Sequence, residues 1–281
     1  MMAYPIEFLK KIIPRNAGYF LRKIKLFVRG LFYRGTNFFC PICNKGYRTF
    51  FEGGFNLAVI GEYQIIGAGL RKNAICPGCA SNDRDRLLYL ALNDKNLKLL
   101  PADSILHIAP EPSLAGWIET KQRKNKGSYT KGVKYHEGFY YGNDVQLMDL
   151  LHLPFDDNSF DLLICNHVLE HIPDDIGAMR EIHRVMKPGS KSILQVPWSP
   201  LLNKTFEDNS ITKPKEREEK FGQFDHVRLY GTDYPQRLES AGFQVETISV
   251  SQLNLPDNIL ISYGLNRKEI IFVAKKLMQT R

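Results

Sequence analysis

A stretch in the middle of the chain, residues 154–171, most constrains the fold. A polar turn over residues 156–159 precedes 160–165, a run that is almost wholly apolar. Such a run, bounded by turn residues, predicts a strand that is covered on both faces. Four polar residues follow at its carboxyl end, Asn166, His167, Glu170 and His171. Because open parallel sheets bind ligands where their strands end, this cluster predicts a ligand site.

Beyond Pro101, strand and helix patterns alternate, which predicts a parallel sheet with crossover helices. The predicted strands lie near 104–109, 128–133, 145–148, 160–165, 191–196, 243–250 and 269–275. The predicted helices cover 112–122, 174–186 and 231–241, with Pro188 and Gly189 ending the second. The expected fold is therefore α/β, with a doubly wound, mostly parallel, seven-stranded sheet of Rossmann-like type.

The net charge of +8 is concentrated at the amino terminus. Residues 1–35 hold eight basic residues and one acidic residue, whereas the remainder holds 30 basic and 29 acidic residues. The body of the protein therefore gives no compositional reason to expect a nucleic-acid groove. Apolar runs fall short of the ~18 residues that a membrane span needs. We expect a cytoplasmic protein, with peripheral membrane contact as the alternative.

Residues 17–33 predict a basic amphipathic helix within an N-terminal arm, residues 1–36. Its apolar residues recur at helical spacing, as Phe20, Ile24, Phe27 and Leu31, and its basic residues share another face. Two interpretations stay open: the apolar stripe docks on the body of the protein, or it contacts an anionic membrane. Nucleic acid is the less favoured partner.

Four of the five cysteines form two Cys-x-x-Cys pairs, Cys40 with Cys43 and Cys76 with Cys79. Two such turns supply four thiolates, which satisfy tetrahedral Zn²⁺ and leave no open position. We therefore expect structural zinc in a zinc-ribbon-like module over residues 37–82. A redox pair and an iron centre are the alternatives. The fifth cysteine, Cys165, lies in the apolar strand and is expected to be a core residue.

Several segments resemble class I S-adenosylmethionine-dependent methyltransferases. Asp149, the LPF element at 153–155 and the FD pair at 160–161 match the region of the fourth strand in that family. The LHIAPE segment at 106–111, the FGQFDHVRLYG segment at 221–231 and the paired CPxC motifs resemble a bacterial subgroup of type 11 methyltransferase-like proteins. These matches extend from about residue 40 to residue 243.

The resemblance implies that S-adenosylmethionine lies at the carboxyl ends of the first, third and fourth strands of the sheet. Asp149 is expected to accept a hydrogen bond from the adenine amino group. Ala109 and Glu111 stand where glycines are usual, and Val133 stands where a ribose-binding acid is usual. A carboxylate from Glu111, Glu137 or Asp144 is expected to replace that acid. The full set of expected cofactor contacts is His107, Ala109, Glu111, Val133, Asp149, Leu150 and Asn166.

Methyl transfer to a hydroxyl or protonated amine also requires a base. The candidate catalytic residues are His167, Asp225, His226 and Arg228. In the expected arrangement Asp225 orients His226 as the base, Arg228 binds an anionic acceptor, and His167 is the second candidate for the base. Residues 198–230 would form a lid inserted into a methyltransferase-like domain over 83–281. The alternative is that the 225–228 cluster only ties the insertion to the body.

Three other functions stay open. Residues 167–171 match H-x-x-E-H, an inverted zinc-peptidase motif, although Pro173 would cut short the helix that it needs. Loss of the usual glycines and ribose acid is what a non-catalytic binding protein of this fold would show. An RNA methyltransferase is the third alternative. The sequence leaves the acceptor and the oligomeric state open.

Overall fold

A seven-stranded sheet forms the centre of the computed structural model, which describes residues 15–95, 97, 99–135 and 144–278. Strands are numbered in chain order. The seven strands of this sheet are β5 Ser104–Ile108, β6 Ser128–Val133, β7 Val145–Leu147, β8 Phe160–Asn166, β9 Met186–Gln195, β12 Phe243–Ser249 and β13 Ile270–Lys276. Their order in the sheet is β12-β13-β9-β8-β5-β6-β7. The seven predicted strands and the mostly parallel sheet are confirmed.

The pairing of the strands fixes where a ligand can bind. Strands β5 to β9 pair in parallel, whereas β13 runs antiparallel to both β9 and β12. From β5 the chain passes to β6 on one side, and it later returns to β8 on the other side. This reversal of direction leaves a crevice at the carboxyl ends of β5 and β8.

Alternate residues of β8 enter two separate cores, as expected for a strand covered on both faces. Leu163 and Cys165 belong to one hydrophobic cluster, whereas Leu162 and Ile164 belong to the other. The helices around the sheet are α3 Asp83–Asn93, α4 Pro112–Asn125, α5 Asp175–Val185, α7 Tyr234–Ser240 and α8 Asp257–Ser262. Cys165 is fully buried, which confirms its predicted core position.

One predicted boundary is wrong. Helix α5 ends at Val185, because Met186 has an extended backbone with φ of −79° and ψ of 140°. Strand β9 therefore begins at Met186, and Pro188 and Gly189 lie within it rather than in a connecting turn. Gly189 has φ of +80°, a conformation that glycine adopts without a steric penalty.

The chain before the sheet forms small antiparallel strand pairs. Strand β1 Arg34–Cys40 pairs with β2 Lys45–Tyr47, and β3 Phe51–Gly53 pairs with β4 Arg71–Ile75. Helix α2 Ala58–Glu62 lies between β3 and β4. The β3–β4 pair thus lies within the long interval between the two cysteine pairs.

Arg86 of α3 ties this segment to the body of the protein. Its side chain is fully buried and lies over the ring of Phe50, 4.5 Å from the ring centroid. It donates hydrogen bonds to five carbonyl groups, those of Asn73, Ala74, Ser81, Tyr263 and Gly264. One guanidinium therefore holds together the end of β4, the start of α3 and the loop after α8.

The 198–230 insertion is more ordered than its sequence predicts. It contains helix α6 Pro214–Phe221 and the strand pair β10 Phe206–Glu207 with β11 Arg228–Leu229. Phe221 and Leu229 pack against Val59, Ile60 and Ile65 of the N-terminal segment. Tertiary packing therefore supplies the order that the polar sequence of α6 does not predict.

Helix α1 Arg15–Phe32 contacts the second cysteine pair through one face. Arg29 Nε donates to the Pro77 carbonyl at 2.7 Å, and Gly30 lies directly against Gly78. The predicted apolar stripe faces elsewhere, since the exposed fractions of its side chains lie between 44% and 63% for Ile24, Leu31, Phe27 and Phe20. The interpretation that this stripe docks on the body is therefore wrong. Among the described residues, no helix combines the length and the apolar character needed to cross a bilayer.

Candidate functional site

The four paired cysteines come together in one cluster. Their sulfur atoms all lie within 4.8 Å of one another, with 3.6 Å between Cys40 and Cys79 and 3.9 Å between Cys43 and Cys76. Tetrahedral zinc with ~2.3 Å bonds to sulfur requires separations of ~3.8 Å between its ligands. The cluster therefore has the dimensions of a closed four-thiolate zinc site.

Hydroxyl groups surround these sulfurs. Ser81 Oγ lies 3.3 Å from the sulfur of Cys40 and 3.1 Å from that of Cys79, and the Tyr47 hydroxyl lies 3.4 Å from that of Cys43. The residue after each pair, Asn44 or Ala80, has positive φ, which turns the chain back behind the two thiols. Such contacts orient metal ligands and stabilise their charged form.

A buried network connects β5, β6 and β8 at the edge of the sheet. His107 Nε2 lies 2.9 Å from Glu111 Oε2, and His107 Nδ1 lies 2.8 Å from the Tyr129 hydroxyl. Asn166 Nδ2 donates to Glu111 Oε1 at 3.0 Å. Although burial opposes ionisation, hydrogen bonds from His107 and Asn166 hold the pKa of Glu111 below its ordinary value. The network thus fixes an ionised carboxylate beside the crevice.

Two of the predicted cofactor contacts, His107 and Val133, have enclosed side chains. His107 is fully buried, so its role is to position Glu111. Val133 ends β6 with 3% exposure, and its carbonyl accepts a hydrogen bond from Met148 N. Both faces of β5 and β6 are covered, so these side chains are enclosed.

The other predicted cofactor residues border the crevice or the loop beside it. Ala109 directly follows β5 with φ of +49°, and Asn166 ends β8. Asp149 is exposed and its Oδ1 accepts a hydrogen bond from Leu151 N, whereas Leu150 is buried. Of the alternative carboxylates, Asp144 forms an ion pair with Lys131, and Glu137 lies outside the described residues.

Beside this edge lies a cavity of about 280 Å³. One wall comes from the N-terminal segment, with Gly54, Gly67 and Arg84, and another from the end of the insertion, with Gly222 and His226. The chain after β8 supplies three further lining residues, His167, Glu170 and His171. The cavity thus lies between the N-terminal segment, the insertion and the sheet.

His167 lies between Glu170 and Arg84 within this cavity. Its Nδ1 is 3.6 Å from Glu170 Oε1 and 3.4 Å from Arg84 Nη1. Burial and the nearby guanidinium of Arg84 lower the pKa of His167. Arg84 was missed by sequence reasoning, because it is 83 positions away in the chain and nothing in a helical pattern distinguishes it from a solvent-exposed arginine.

The predicted pairing of Asp225 with His226 is wrong. Asp225 Oδ2 lies 3.2 Å from His171 Nδ1, whereas His226 Nδ1 lies 3.2 Å from the Phe221 carbonyl. Burial lowers the pKa of His226. Burial opposes protonation of His171 too, but Asp225 and Glu170 raise its pKa overall. Neighbouring residues of a turn point in different directions, so adjacency in sequence did not give contact in space.

Arg228 has a structural role in place of the predicted acceptor contact. It is 3% exposed, and its guanidinium donates to the carbonyls of Leu169, Ile172 and Pro173 and to Glu207. These bonds tie β11 to the chain after β8, which is the alternative that the sequence left open for this residue. A guanidinium so engaged is not available to an anionic acceptor.

The H-x-x-E-H segment does not form the helix of a zinc peptidase. Residues Leu169–His171 make a single 3₁₀ turn, and His167 precedes it with φ of +55°. The chain leaves the turn at Ile172, immediately before Pro173, as the sequence predicts.

Comparison with known proteins bears on the central part of the chain. Residues 118–194 match a family model described as a methyltransferase domain. The matched segment of this domain runs from α4 into β9, and it contains Asp149, Asn166 and His167 but not residues 53–84 or 222–226 of the cavity.

Individual relatives match shorter segments. A demethylmenaquinone methyltransferase from Staphylococcus epidermidis is 41% identical over 61 residues, which cover 21% of this chain and 25% of the relative. A 2-phytyl-1,4-naphtoquinone methyltransferase from Nostoc punctiforme is 44% identical over 46 residues, which cover 16% of this chain and 20% of the relative. The chain thus spans a quarter or less of the length of these two curated relatives.

Among solved structures, the YcgJ protein from Bacillus subtilis has a TM-score of 0.45 and 16% identity, covering 69% of this chain and 100% of that chain. The sheet order found here, with antiparallel β13 between β9 and β12, is that of the class I methyltransferase fold. The fold class implied by the resemblance is therefore confirmed.

Proposed function

We propose that the protein is an S-adenosylmethionine-dependent methyltransferase that acts on a polar acceptor bound in the 280 Å³ cavity. The observation that carries this proposal is the methyltransferase domain match on a sheet whose switch point lies at the ends of β5 and β8. The cavity residues His167, Glu170 and Arg84 follow or face that same edge. Cofactor and acceptor would therefore meet where the sheet ends.

The residues at the crevice fit the cofactor. Asn166 Oδ1 is buried and has no hydrogen-bond partner among the described residues, so it can accept a bond from a bound ligand. Glu111 keeps unused lone pairs on both carboxylate oxygens, because each accepts one hydrogen bond. Asn166, Glu111, Ala109, Asp149 and Leu150 would hold the cofactor, with Asp149 facing the adenine amino group.

The cofactor supplies an electrophilic methyl group, and the protein mainly orients the two partners. His167 is the proposed base, because it directly follows Asn166 and lines the acceptor cavity. It would take the proton of an acceptor hydroxyl or amine at a ring nitrogen. The quinone acceptors named for the relatives are not carried over, since the family match omits two walls of this cavity.

Zinc in the cysteine cluster completes the proposal. The distances between sulfur atoms suit a four-thiolate site, and the surrounding hydroxyl groups support it. Its role would be structural, because four thiolates leave no open position. It would fix the segment that carries Gly54 and Gly67 into the cavity wall.

Titration calorimetry with S-adenosylmethionine and S-adenosylhomocysteine tests the proposed function. The wild-type protein is expected to bind both, and Asp149→Ala is expected to bind them roughly ten- to a hundredfold more weakly. This factor corresponds to the ~1.5–3 kcal/mol of a charge-assisted hydrogen bond.

Asp156→Ala is the matched control, because Asp156 is an exposed aspartate in the turn before β8, at the opposite edge of the sheet. It is expected to leave both affinities unchanged. Absence of binding by the wild-type protein at millimolar cofactor would contradict the proposal and support the non-catalytic alternative.

We further propose that α1 contacts an anionic membrane surface. Its outward stripe places Phe20, Ile24, Phe27 and Leu31 in solvent, and Lys23 and Lys25 are exposed on the same helix. Apolar side chains that enter the interface, together with lysines that attract anionic lipids, are what such a helix uses. The attachment of α1 to the second cysteine pair would hold the protein at that surface.

Flotation with vesicles of phosphatidylserine and phosphatidylcholine tests the membrane contact. The double variant Phe20→Ser with Phe27→Ser is expected to lower the partition coefficient at least about tenfold, since full burial of one phenylalanine contributes ~1.5–3 kcal/mol. Leu147→Ser removes an equally exposed apolar side chain from β7 and is expected to leave the partition coefficient unchanged. Equal flotation of both variants and the wild-type protein would exclude this role for α1.

A further inference from the structure

Three side chains in the cavity have the spacing of metal ligands. One carboxylate oxygen of Glu170 and one ring nitrogen each of His171 and His226 all lie within 4.8 Å of one another. His226 Nε2 is 4.0 Å from Glu170 Oε1. Ligands of a tetrahedral ion with ~2.05 Å bonds lie ~3.3 Å apart. Small side-chain rotations would therefore close the cluster around one ion.

The Nδ1 atom of each of these two histidines already lies beside an acceptor oxygen. His171 Nδ1 lies 3.2 Å from Asp225 Oδ2, and His226 Nδ1 lies 3.2 Å from the Phe221 carbonyl. An acceptor at Nδ1 fixes the proton there and leaves the Nε2 lone pair to bind a metal. Histidine ligands almost always have such an acceptor on the other ring nitrogen. Both imidazoles can thus offer Nε2 to a metal ion.

Glu170 provides an independent observation. Its side chain is almost fully buried and lines the cavity, yet Oε2 has no hydrogen-bond partner within the described part of the chain. A buried carboxylate oxygen without a partner is costly unless a ligand satisfies it. Two arginines line the cavity: Arg71 pairs with Asp83, and Arg84 reaches His167 and the Gly67 carbonyl. His167 lies 3.6 Å from Glu170 Oε1, which leaves Oε2 to be satisfied by another positive group.

We infer that Glu170, His171 and His226 form a second metal site, for a divalent transition metal such as Zn²⁺. Two imidazoles and one carboxylate are a ligand set that zinc uses when one position stays open for water or substrate. The open position would face the cavity. Under the proposed function, the ion would bind an oxygen of the acceptor; this last step depends on the proposed function, whereas the metal site itself does not.

Zinc analysis of the purified, zinc-loaded full-length protein tests the site. The wild-type protein is expected to hold about two zinc ions, one at the four cysteines and one at the new site. Glu170→Gln and His226→Ala are expected to hold about one each. His152→Ala is the matched control, because His152 is an exposed histidine outside the cluster, and it is expected to retain about two.

Two further measurements separate loss of the new site from misfolding and test the contact between Asp225 and His171. In Co²⁺-loaded protein, the thiolate-to-metal charge-transfer absorption reports the cysteine site, and it should be the same in His226→Ala and wild type if the variant folds. Asp225→Asn is expected to weaken zinc binding at the new site about 10–100-fold in competition with a chelator.

A zinc content of about one in the wild-type protein, or of about two in His226→Ala, would overturn the inference. An Asp225→Asn variant with unchanged zinc affinity would count against the arrangement described for His171. Zinc content does not depend on methyl transfer. A protein that holds two zinc ions but does not bind S-adenosylmethionine would therefore retain the metal site and refute only the proposed function.

Discussion

Replacing Cys76 with serine is expected to remove the zinc of the cysteine cluster and to destabilise the protein by more than about 4 kcal/mol. Loss of a structural metal is among the few single changes that reach this size, because binding of the metal contributes directly to the free energy of folding. Cys76 is fully buried among Cys43, Tyr47 and Phe50, so a serine there would also leave a hydroxyl enclosed in an apolar cluster. Zinc analysis and thermal unfolding give the two readouts.

Cys165→Ala is the control for the cysteine variant. It removes a buried thiol from β8 but none of the clustered sulfurs, so zinc content should stay the same and the loss of stability should be smaller. A Cys76→Ser protein with wild-type zinc content and an unchanged melting temperature would exclude a structural zinc site at these four residues.

Replacing Arg86 with alanine is expected to destabilise the protein by about 3–5 kcal/mol. The change would remove the Arg86 donor from five carbonyl acceptors and would open space beside Phe50. Removing one partner from a buried charged network has this cost. At roughly 2 °C for each kcal/mol in a chain of this size, the melting temperature should fall by about 6–10 °C.

Arg123→Ala is the matched control for Arg86, because Arg123 is an arginine of α4 whose side chain is 78% exposed. Its effect should stay within about 0.5 kcal/mol, as for most surface substitutions. Arg86→Lys keeps the charge but has fewer hydrogen-bond donors. Its loss of stability should therefore lie between those of Arg86→Ala and Arg123→Ala. A melting temperature of Arg86→Ala equal to that of Arg123→Ala would show that the buried hydrogen bonds do not hold the two segments together.

The centre of the sheet is predicted well because a strand that is buried on both faces consists almost wholly of apolar residues. Each of the seven strands overlaps its predicted range, and Asn166 and His167 lie at the predicted carboxyl end of β8. The cysteine cluster was predicted because each Cys-x-x-Cys turn brings two sulfurs together, whereas the meeting of the two turns depends on the fold.

The rest of the candidate site depends on contacts between distant segments. His171 was assigned to a motif, but its partner is Asp225, 54 positions later. Gly67 enters the cavity from a segment that the sequence assigns to a separate module, and Arg84 enters it from the helix that follows that module. Helix α6 forms because Phe221 packs on Ile60. Nothing in a local pattern records such pairings, because they are decided by the free energy of tertiary packing.

The backbone at the ends of β5 and β8 has a consequence for the balance between stability and activity. Ala109 and His167 end these adjacent strands with φ of +49° and +55°. In that conformation a residue with a Cβ atom is less stable than glycine by about 1–2 kcal/mol. Glycine at position 167 would relieve the backbone strain but remove the imidazole from the cavity. The native protein thus gives up some conformational stability at the sheet edge to hold the imidazole of His167 in the cavity, and selection for heat resistance alone would favour variants that lose it.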